Sequence, residues 1–170
     1  REFGPSVPST AVAHLKSVTT PAPDKILTAM TKGGPGMPEV VFDADKFDAS
    51  GRELEYSYEL NGGMQRPFMT PDANGHLVIR DPAFAWQGKY TIGIKSRAKG
   101  DYRSTSAETS TKVIIDSVGP KIALKKMFWD EDTLKIPMFD TVSEHAISYA
   151  FGKTDSSEPS TGWMRGATAE

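Results

Sequence analysis

Four aromatic residues are the candidates for binding a ligand. Exposed indole or phenol rings can stack on the apolar face of a sugar, and binding residues concentrate on loops and strand ends. The sequence predicts such positions for Trp86, Tyr102, Trp129 and Trp163. The alternative is that these rings pack at domain junctions or under loops, and the sequence leaves both interpretations open.

Clustered carboxylates are the candidates for binding a metal ion. Calcium takes about six to eight oxygen ligands, which neighbouring Asp side chains can supply. The candidate residues form two clusters and one isolated position, namely Asp43, Asp45 and Asp48, then Asp130 and Asp132, and Asp116. Their spacing does not match the EF-hand loop. Calcium is therefore the one cofactor that the sequence suggests, and the alternative is that these carboxylates cap turns.

Signatures of catalysis are missing from the sequence. The three histidines, His14, His76 and His145, lie in separate segments, and no Gly-x-Ser-x-Gly motif is present. The glycines between Gly33 and Gly36 lack the Lys-Ser/Thr pair of a phosphate-binding loop. Cysteine is absent, which excludes disulfides, zinc–thiolate sites and thiol nucleophiles. We therefore expect a protein that is not an enzyme.

Charge and hydropathy exclude two further classes of function. The 170 residues carry 20 basic and 22 acidic side chains, a net charge of −2, without a basic cluster for phosphate contacts. No apolar run approaches the roughly 20 residues of a membrane-spanning helix. We therefore expect neither nucleic-acid binding nor membrane insertion.

Alternating apolar residues predict the elements that must position these side chains. Strict period-two patterns occupy residues 40–44, 54–60 and 90–94, and further β-rich runs occupy 76–80 and 111–116. The predicted core is Val40, Phe42, Leu54, Tyr56, Tyr58, Leu77, Ile79, Tyr90, Ile92, Ile94, Val113 and Ile115. No helix of three turns is expected. Residues 25–30 are interpreted as a strand, and residues 11–18 as either a strand or one or two helical turns.

Three segments resemble bacterial immunoglobulin-like, polycystic-kidney-disease-like and fibronectin-III-like repeats. Residues 40–63 resemble the B-to-C region of these repeats, with an apolar strand, Asp, Gly and then Leu54-x-Tyr56-x-Tyr58. Residues 87–98 are similar to their F strand and residues 113–120 to the G strand and the junction with the next repeat. The resemblance implies an all-β, immunoglobulin-like antiparallel β-sandwich. It also implies a tyrosine corner at Tyr90.

The predicted organisation is a linker or edge segment at residues 1–24, a sandwich at 25–117 and the start of a second similar module at 118–170. Both modules contain an apolar strand that ends in Asp and a later Tyr-containing strand that precedes Gly. The second is about half the roughly 100 residues that a sandwich needs. We therefore expect it either to end inside a domain or to be completed by another chain.

These observations lead to one main functional hypothesis and two alternatives. The main hypothesis is a non-catalytic structural or interaction module of a larger extracellular bacterial surface or secreted protein. Its expected partners are neighbouring domains of the same polypeptide, with a polysaccharide or a surface protein as further candidates. The alternatives are a carbohydrate-binding module that uses the exposed aromatic residues and a periplasmic sensor domain.

Overall fold

The computed structural model describes residues 6–32, 36–143, 147–150, 161 and 163–165. Within the chain, Cα positions group into two compact units, Arg1–Ser117 and Val118–Glu170. We describe each unit by itself.

In its described residues the first unit contains six strands and one α-helix. In chain order these are β1 (His14–Thr19), α1 (Pro23–Lys32), β2 (Glu39–Asp43), β3 (Leu54–Leu60), β4 (His76–Ile79), β5 (Gly88–Ala98) and β6 (Thr109–Ile115), with 3₁₀ turns at Pro82–Ala85 and Tyr102–Ser104. One antiparallel sheet has the strand order β1-β2-β4, and the other has the order β3-β5-β6. The chain therefore crosses between the sheets three times, from β2 to β3, from β3 to β4 and from β4 to β5.

The two sheets share one hydrophobic core. Both contribute their apolar faces to a single buried cluster, in which Phe42 of β2, Tyr56 of β3 and Ile92 of β5 are fully buried. Every predicted core residue is buried except Tyr90, which is partly buried and packs against the cluster. The period-two patterns thus identified the inward faces of the strands, and the all-β class is confirmed.

Helix α1 corrects the interpretation of residues 25–30 as a strand. Pro23 occupies the first turn, where its missing N–H costs nothing, and Asp24 places a negative charge at the helix N-terminus. Ile26 and Ala29 are three residues apart, and both are buried. The four apolar residues of this segment, Ile26, Leu27, Ala29 and Met30, were too few to reveal a helical period. Residues 14–19, by contrast, form the outer strand of the first sheet.

The second unit consists of short strand pairs. It contains β7 (Lys121–Ile122), β8 (Phe128–Asp130), β9 (Thr133–Lys135), β10 (Met138–Phe139), β11 (Ser148–Tyr149) and β12 (Met164–Arg165). The antiparallel pairs are β7 with β10, β8 with β9, and β11 with β12. Among the described residues of this unit only Asp140 and Val142 are buried. The described part of this unit therefore encloses a far smaller interior than that of the first unit.

A tyrosine corner fixes the entry to β5. The Tyr90 hydroxyl lies 2.7 Å from the carbonyl oxygen of Ala83 and 2.6 Å from that of Trp86. The Tyr90 ring also meets the buried ring of Phe84 edge to face, with centroids 5.2 Å apart. These contacts confirm the predicted bond from Tyr90 back to the preceding turn, and they hold that turn against the core.

Removing the Tyr90 hydroxyl should weaken the first unit. We expect Tyr90→Phe to lower the free energy of unfolding by about 1 kcal/mol, because the ring packing remains while the hydrogen bond is lost. Urea denaturation measures the change. Tyr102→Phe is the matched control, since the Tyr102 side chain is 75% exposed. Equal stability of both variants and the wild type would contradict this role for Tyr90.

Candidate functional site

An open groove of about 1300 Å³ brings together the first predicted acidic cluster. The N-terminal segment, the β2–β3 connection and the turn before β4 line it, and its walls include Asp43, Asp45 and Asp48. The apolar side chains of Val7 and Phe47 also line the groove, and both are more than half exposed. Three of the predicted metal ligands thus share one surface.

Two of these three carboxylates already have protein partners. Oδ1 of Asp48 accepts the backbone N–H groups of Ser50 and Arg52, each at 2.9 Å, and Oδ2 accepts Nε of Arg52 at 2.7 Å. The backbone bond from Arg52 is the main cause of the lowered pKa of Asp48. Oδ1 of Asp43 lies 3.1 Å from the Lys16 ammonium. The carboxylate of Asp48 therefore acts as a turn cap.

The remaining acidic candidates lie elsewhere. Asp116 directly follows β6, Asp130 ends β8 with Lys135 Nζ 3.7 Å away, and Asp132 occupies the β8–β9 turn. Within the ranges that the structure describes, no three His, Asp or Glu side chains are grouped in a way that could hold a metal ion. The calcium site stays a prediction.

Trp86 and Tyr102 belong to opposite ends of the longest strand. Trp86 precedes the first residue of β5 by two positions, and Tyr102 follows its last residue by four. The 11 residues of β5 span about 33 Å at a rise of about 3.3 Å per residue. The two rings therefore cannot form one continuous platform for a small ligand.

The turn that presents Trp86 is held in place by hydrogen bonds at its start and at its end. Asp81 caps it by accepting the N–H of Ala83 at 2.9 Å, and Phe84 is anchored in the core. The Tyr90 hydroxyl holds the carbonyl group of Trp86 itself. The indole is nevertheless 73% exposed. This combination of a fixed backbone and a free aromatic face suits stacking, because little conformational freedom is lost on binding.

The other two candidate rings lie in the second unit. Trp129 is the middle residue of β8 and is 68% exposed, and Trp163 directly precedes β12 and is 73% exposed. All four predicted aromatic residues are thus accessible. Of the histidines, His14 is exposed and His76 partly exposed, whereas His145 lies outside the described residues.

A buried polar network beside the Trp86 turn was not predicted. The Asp81 carboxylate is only 2% exposed, and it accepts hydrogen bonds from Arg66 Nε at 2.8 Å and from the Tyr58 hydroxyl at 3.0 Å. The pair Asp81-Pro82 is the sequence signal that could have predicted the position of Asp81. An Asp followed by Pro is typical of an N-cap and the first residue of a helical turn. Arg66 had no recognisable signal, since its segment is an irregular loop.

Opposing effects set the ionisation of this network. Burial alone would raise the pKa of Asp81, but the bonds from Arg66, the Ala83 N–H and Tyr58 outweigh it, and the pKa is lowered. Burial together with the nearby Asp81 carboxylate raises the pKa of Tyr58 to about 12. At neutral pH the Asp81 carboxylate is therefore ionised and the Tyr58 hydroxyl is neutral.

No family model, curated protein or solved structure matches this chain. Within the part of the chain that is described, no helix has the length and apolarity needed to cross a membrane.

Replacing the buried Asp81 carboxylate should make the free energy of unfolding less dependent on pH in the acid range. Because folding lowers the pKa of Asp81, its contribution is present above the ordinary Asp pKa of about 3.9 and disappears as the pH falls through the lower folded value. We expect Asp81→Asn to lower the free energy of unfolding by about 2 kcal/mol at pH 7.

Urea denaturation between pH 2 and pH 7 measures this effect. The difference between the wild type and Asp81→Asn should shrink below about pH 4. Asp45→Asn is the control, since it makes the same charge change at an exposed position of the same unit. A difference that is constant with pH would refute the assignment of acid sensitivity to Asp81.

Proposed function

We propose that this chain is a non-catalytic structural or interaction module of a larger extracellular bacterial surface or secreted protein. The observation that supports this proposal is the self-contained first unit. The residues of its hydrophobic core cluster lie between Ala11 and Ile115, all of them within this unit. Modules that fold alone can be joined in series.

The order of the strands supports an immunoglobulin-like or fibronectin-III-like assignment for this unit. The first, second and fourth strands share one sheet, and the third, fifth and sixth share the other. Immunoglobulin-like sandwiches divide strands A, B and E from strands C, F and G in the same way. The tyrosine corner at the start of β5 corresponds to the one that such folds have at the start of strand F.

The junction between the units supports a tandem arrangement along the chain. Only Asp116 to Pro120 separates the last strand of the first unit from β7. The β7–β10 pair is antiparallel, as is the β1–β2 pair at the start of the first unit. We infer that the second unit begins a module of the same type. Neighbouring domains of the same polypeptide are then its first partners.

The location that this proposal implies is extracellular or at the cell surface. A sensor domain would instead be periplasmic. The chain has no cysteine, so its stability does not depend on the redox state of its surroundings. Ile92 lies in the fully buried core at the position where the F strand of an antibody domain has a cysteine.

Limited proteolysis of the intact chain tests the modular assignment. We expect early cleavage between residues 117 and 121, because few contacts cross a boundary between modules. The larger product should unfold in urea with the same midpoint as the main transition of the intact chain. A product that has lost cooperative unfolding would refute the proposal of a self-contained module.

Exposed aromatic rings favour carbohydrate binding as a second candidate function. Trp86, Trp129 and Trp163 are each more than two thirds exposed, which is unusual for the largest apolar side chain. The rigid turn beneath Trp86 adds the pre-organisation that a stacking platform needs. A polysaccharide would be the partner in this case.

Co-sedimentation with insoluble polysaccharides and cell-wall material tests the second candidate. Binding should fall about fivefold or more in Trp86→Ala and be largely retained in Trp86→Phe, because a stacked ring contributes on the order of 1 kcal/mol or more. Trp129→Ala, Trp163→Ala and Tyr102→Ala test the other rings. Chelator added to parallel samples reveals any need for calcium. No binding to any material would leave the structural module as the better proposal.

A further inference from the structure

Both asparagines of this chain are followed by glycine, at Asn61-Gly62 and at Asn74-Gly75. An asparagine in this setting can lose its side-chain amide without an enzyme, because the backbone nitrogen of the next residue can reach the side-chain carbonyl carbon Cγ. Glycine favours the reaction, since it has no Cβ to hinder the approach and leaves the backbone free to rotate. The sequence therefore offers two equivalent candidate sites for deamidation, and the structure distinguishes between them.

The reaction consumes only water. The glycine nitrogen attacks Cγ of the asparagine and closes a succinimide ring, while the bond from Cγ to the side-chain nitrogen breaks. The proton of the backbone N–H goes to that nitrogen, which leaves as ammonia. Water then opens the ring at either of its two carbonyl carbons. Opening at Cγ yields an aspartyl residue, and opening at the backbone carbonyl carbon yields an isoaspartyl residue, in which the main chain runs through Cβ and Cγ.

The side chain of Asn61 is held in place by β5. Its Oδ1 accepts the backbone N–H of Thr91 at 2.8 Å, and its own backbone N–H donates to the carbonyl oxygen of Thr91 at 2.8 Å. The Gly62 N–H, whose nitrogen would be the nucleophile, donates to Oε1 of Glu59 at 3.2 Å. Ring closure at Asn61 therefore requires its amide to leave β5. The Glu59 carboxylate also opposes loss of the proton from the attacking nitrogen, because two negative charges would then face each other.

The side chain of Asn74 is exposed and is not held in this way. Asn74 lies in the turn before β4, where Oδ1 of Asp72 accepts its backbone N–H at 2.8 Å. In the part of the chain that is described, its side-chain amide has no hydrogen-bond partner. The Gly75 N–H donates to the backbone carbonyl oxygen of Asp72 at 3.0 Å, which is a neutral acceptor. The attacking nitrogen at this site therefore has to give up one hydrogen bond to an uncharged group.

These differences select one of the two candidate sites. We propose that Asn74 is a site of spontaneous deamidation and that β5 protects Asn61 from the same reaction. This inference does not depend on the proposed function.

Deamidation at this position would change the groove and the turn together. Asn74 lines the groove together with Asp43 and Asp45, so either product adds a negative charge to that surface. The isoaspartyl product also inserts one more carbon into the main chain of the turn. The Gly75 carbonyl oxygen accepts the N–H of Ala44 at 2.8 Å, which connects this turn to the residue after β2. We therefore expect the modified chain to hold the start of β4 less tightly.

Peptide mapping by mass spectrometry measures the reaction at each site. The intact chain is incubated at pH 8.0 and 37 °C, and the peptides that contain Asn61 or Asn74 are followed for the exchange of NH₂ for OH. We expect Asn74 to react faster than Asn61 by about tenfold or more, the factor by which one or two ordinary hydrogen bonds shift an opening equilibrium. Equal rates at the two sites, a faster reaction at Asn61 or an unreactive Asn74 would overturn the proposal.

The same incubation in guanidinium chloride is the control for intrinsic reactivity. Unfolding removes the contacts of Asn61 with Thr91 and of Gly62 with Glu59, so the two sites should then react at similar rates. A preference for Asn74 that is equally large in the unfolded chain would overturn the protective role assigned to β5.

Two matched variants assign the charge change that accompanies the reaction. Anion-exchange chromatography of the incubated wild type should show a growing fraction with one additional negative charge. Asn74→Gln, whose longer side chain closes a ring far more slowly, should lose most of this fraction, whereas Asn61→Gln should retain it. An acidic fraction that grows at the same rate in Asn74→Gln and in the wild type would contradict the assignment to Asn74.

Discussion

The structure of the first unit depends on the burial of one face of each sheet against the other. The chain crosses between the sheets from β2 to β3, from β3 to β4 and from β4 to β5, so neither sheet is built from a single run of hairpins. The strands β2 and β3 must therefore keep the correct register with β4 and β5, which are distant from them in sequence. A slip of one residue would turn Phe42 or Ile92 away from the centre of the core, and depending on its direction it would bring in Asp43 or Thr91 instead.

Polar groups that enter this core are paired, and the pairing connects the core to the loops. Ser96 is an inward-facing residue of β5, and its hydroxyl donates to the carbonyl of Ala11 at 2.7 Å. Asp81 connects the start of the Trp86 turn to Tyr58 and Arg66. Among the described residues, no buried side-chain nitrogen or oxygen atom lacks a partner. The N-terminal segment and the Trp86 turn are therefore tied to the sheets by hydrogen bonds.

The sequence predicted the core and the tyrosine corner because both depend on local patterns. Alternation identifies the buried face of a strand, and Gly88-Lys89-Tyr90 marks the corner. It did not predict the Asp81–Arg66 pair, since the partners are 15 residues apart and Arg66 lies in an irregular loop. Helix α1 was missed because its apolar face consists of only a few residues. The predicted carboxylates Asp43 and Asp48 are engaged by Lys16 and Arg52, partners that cannot be recognised from Asp spacing alone.

The distance between the exposed rings of Trp86 and Tyr102 limits how the first unit could bind a ligand. Trp86 and Tyr102 are divided by the full length of β5, so each would contact a ligand by itself. A single stacked ring contributes on the order of 1 kcal/mol beyond area burial, which is far from the roughly 8 kcal/mol of micromolar affinity. Recognition by this unit would therefore need either an extended ligand or many linked modules that raise the effective concentration. A repeated module that faces a polymeric surface would provide both the extended ligand and the linked modules. The structural and the carbohydrate-binding proposals are therefore compatible.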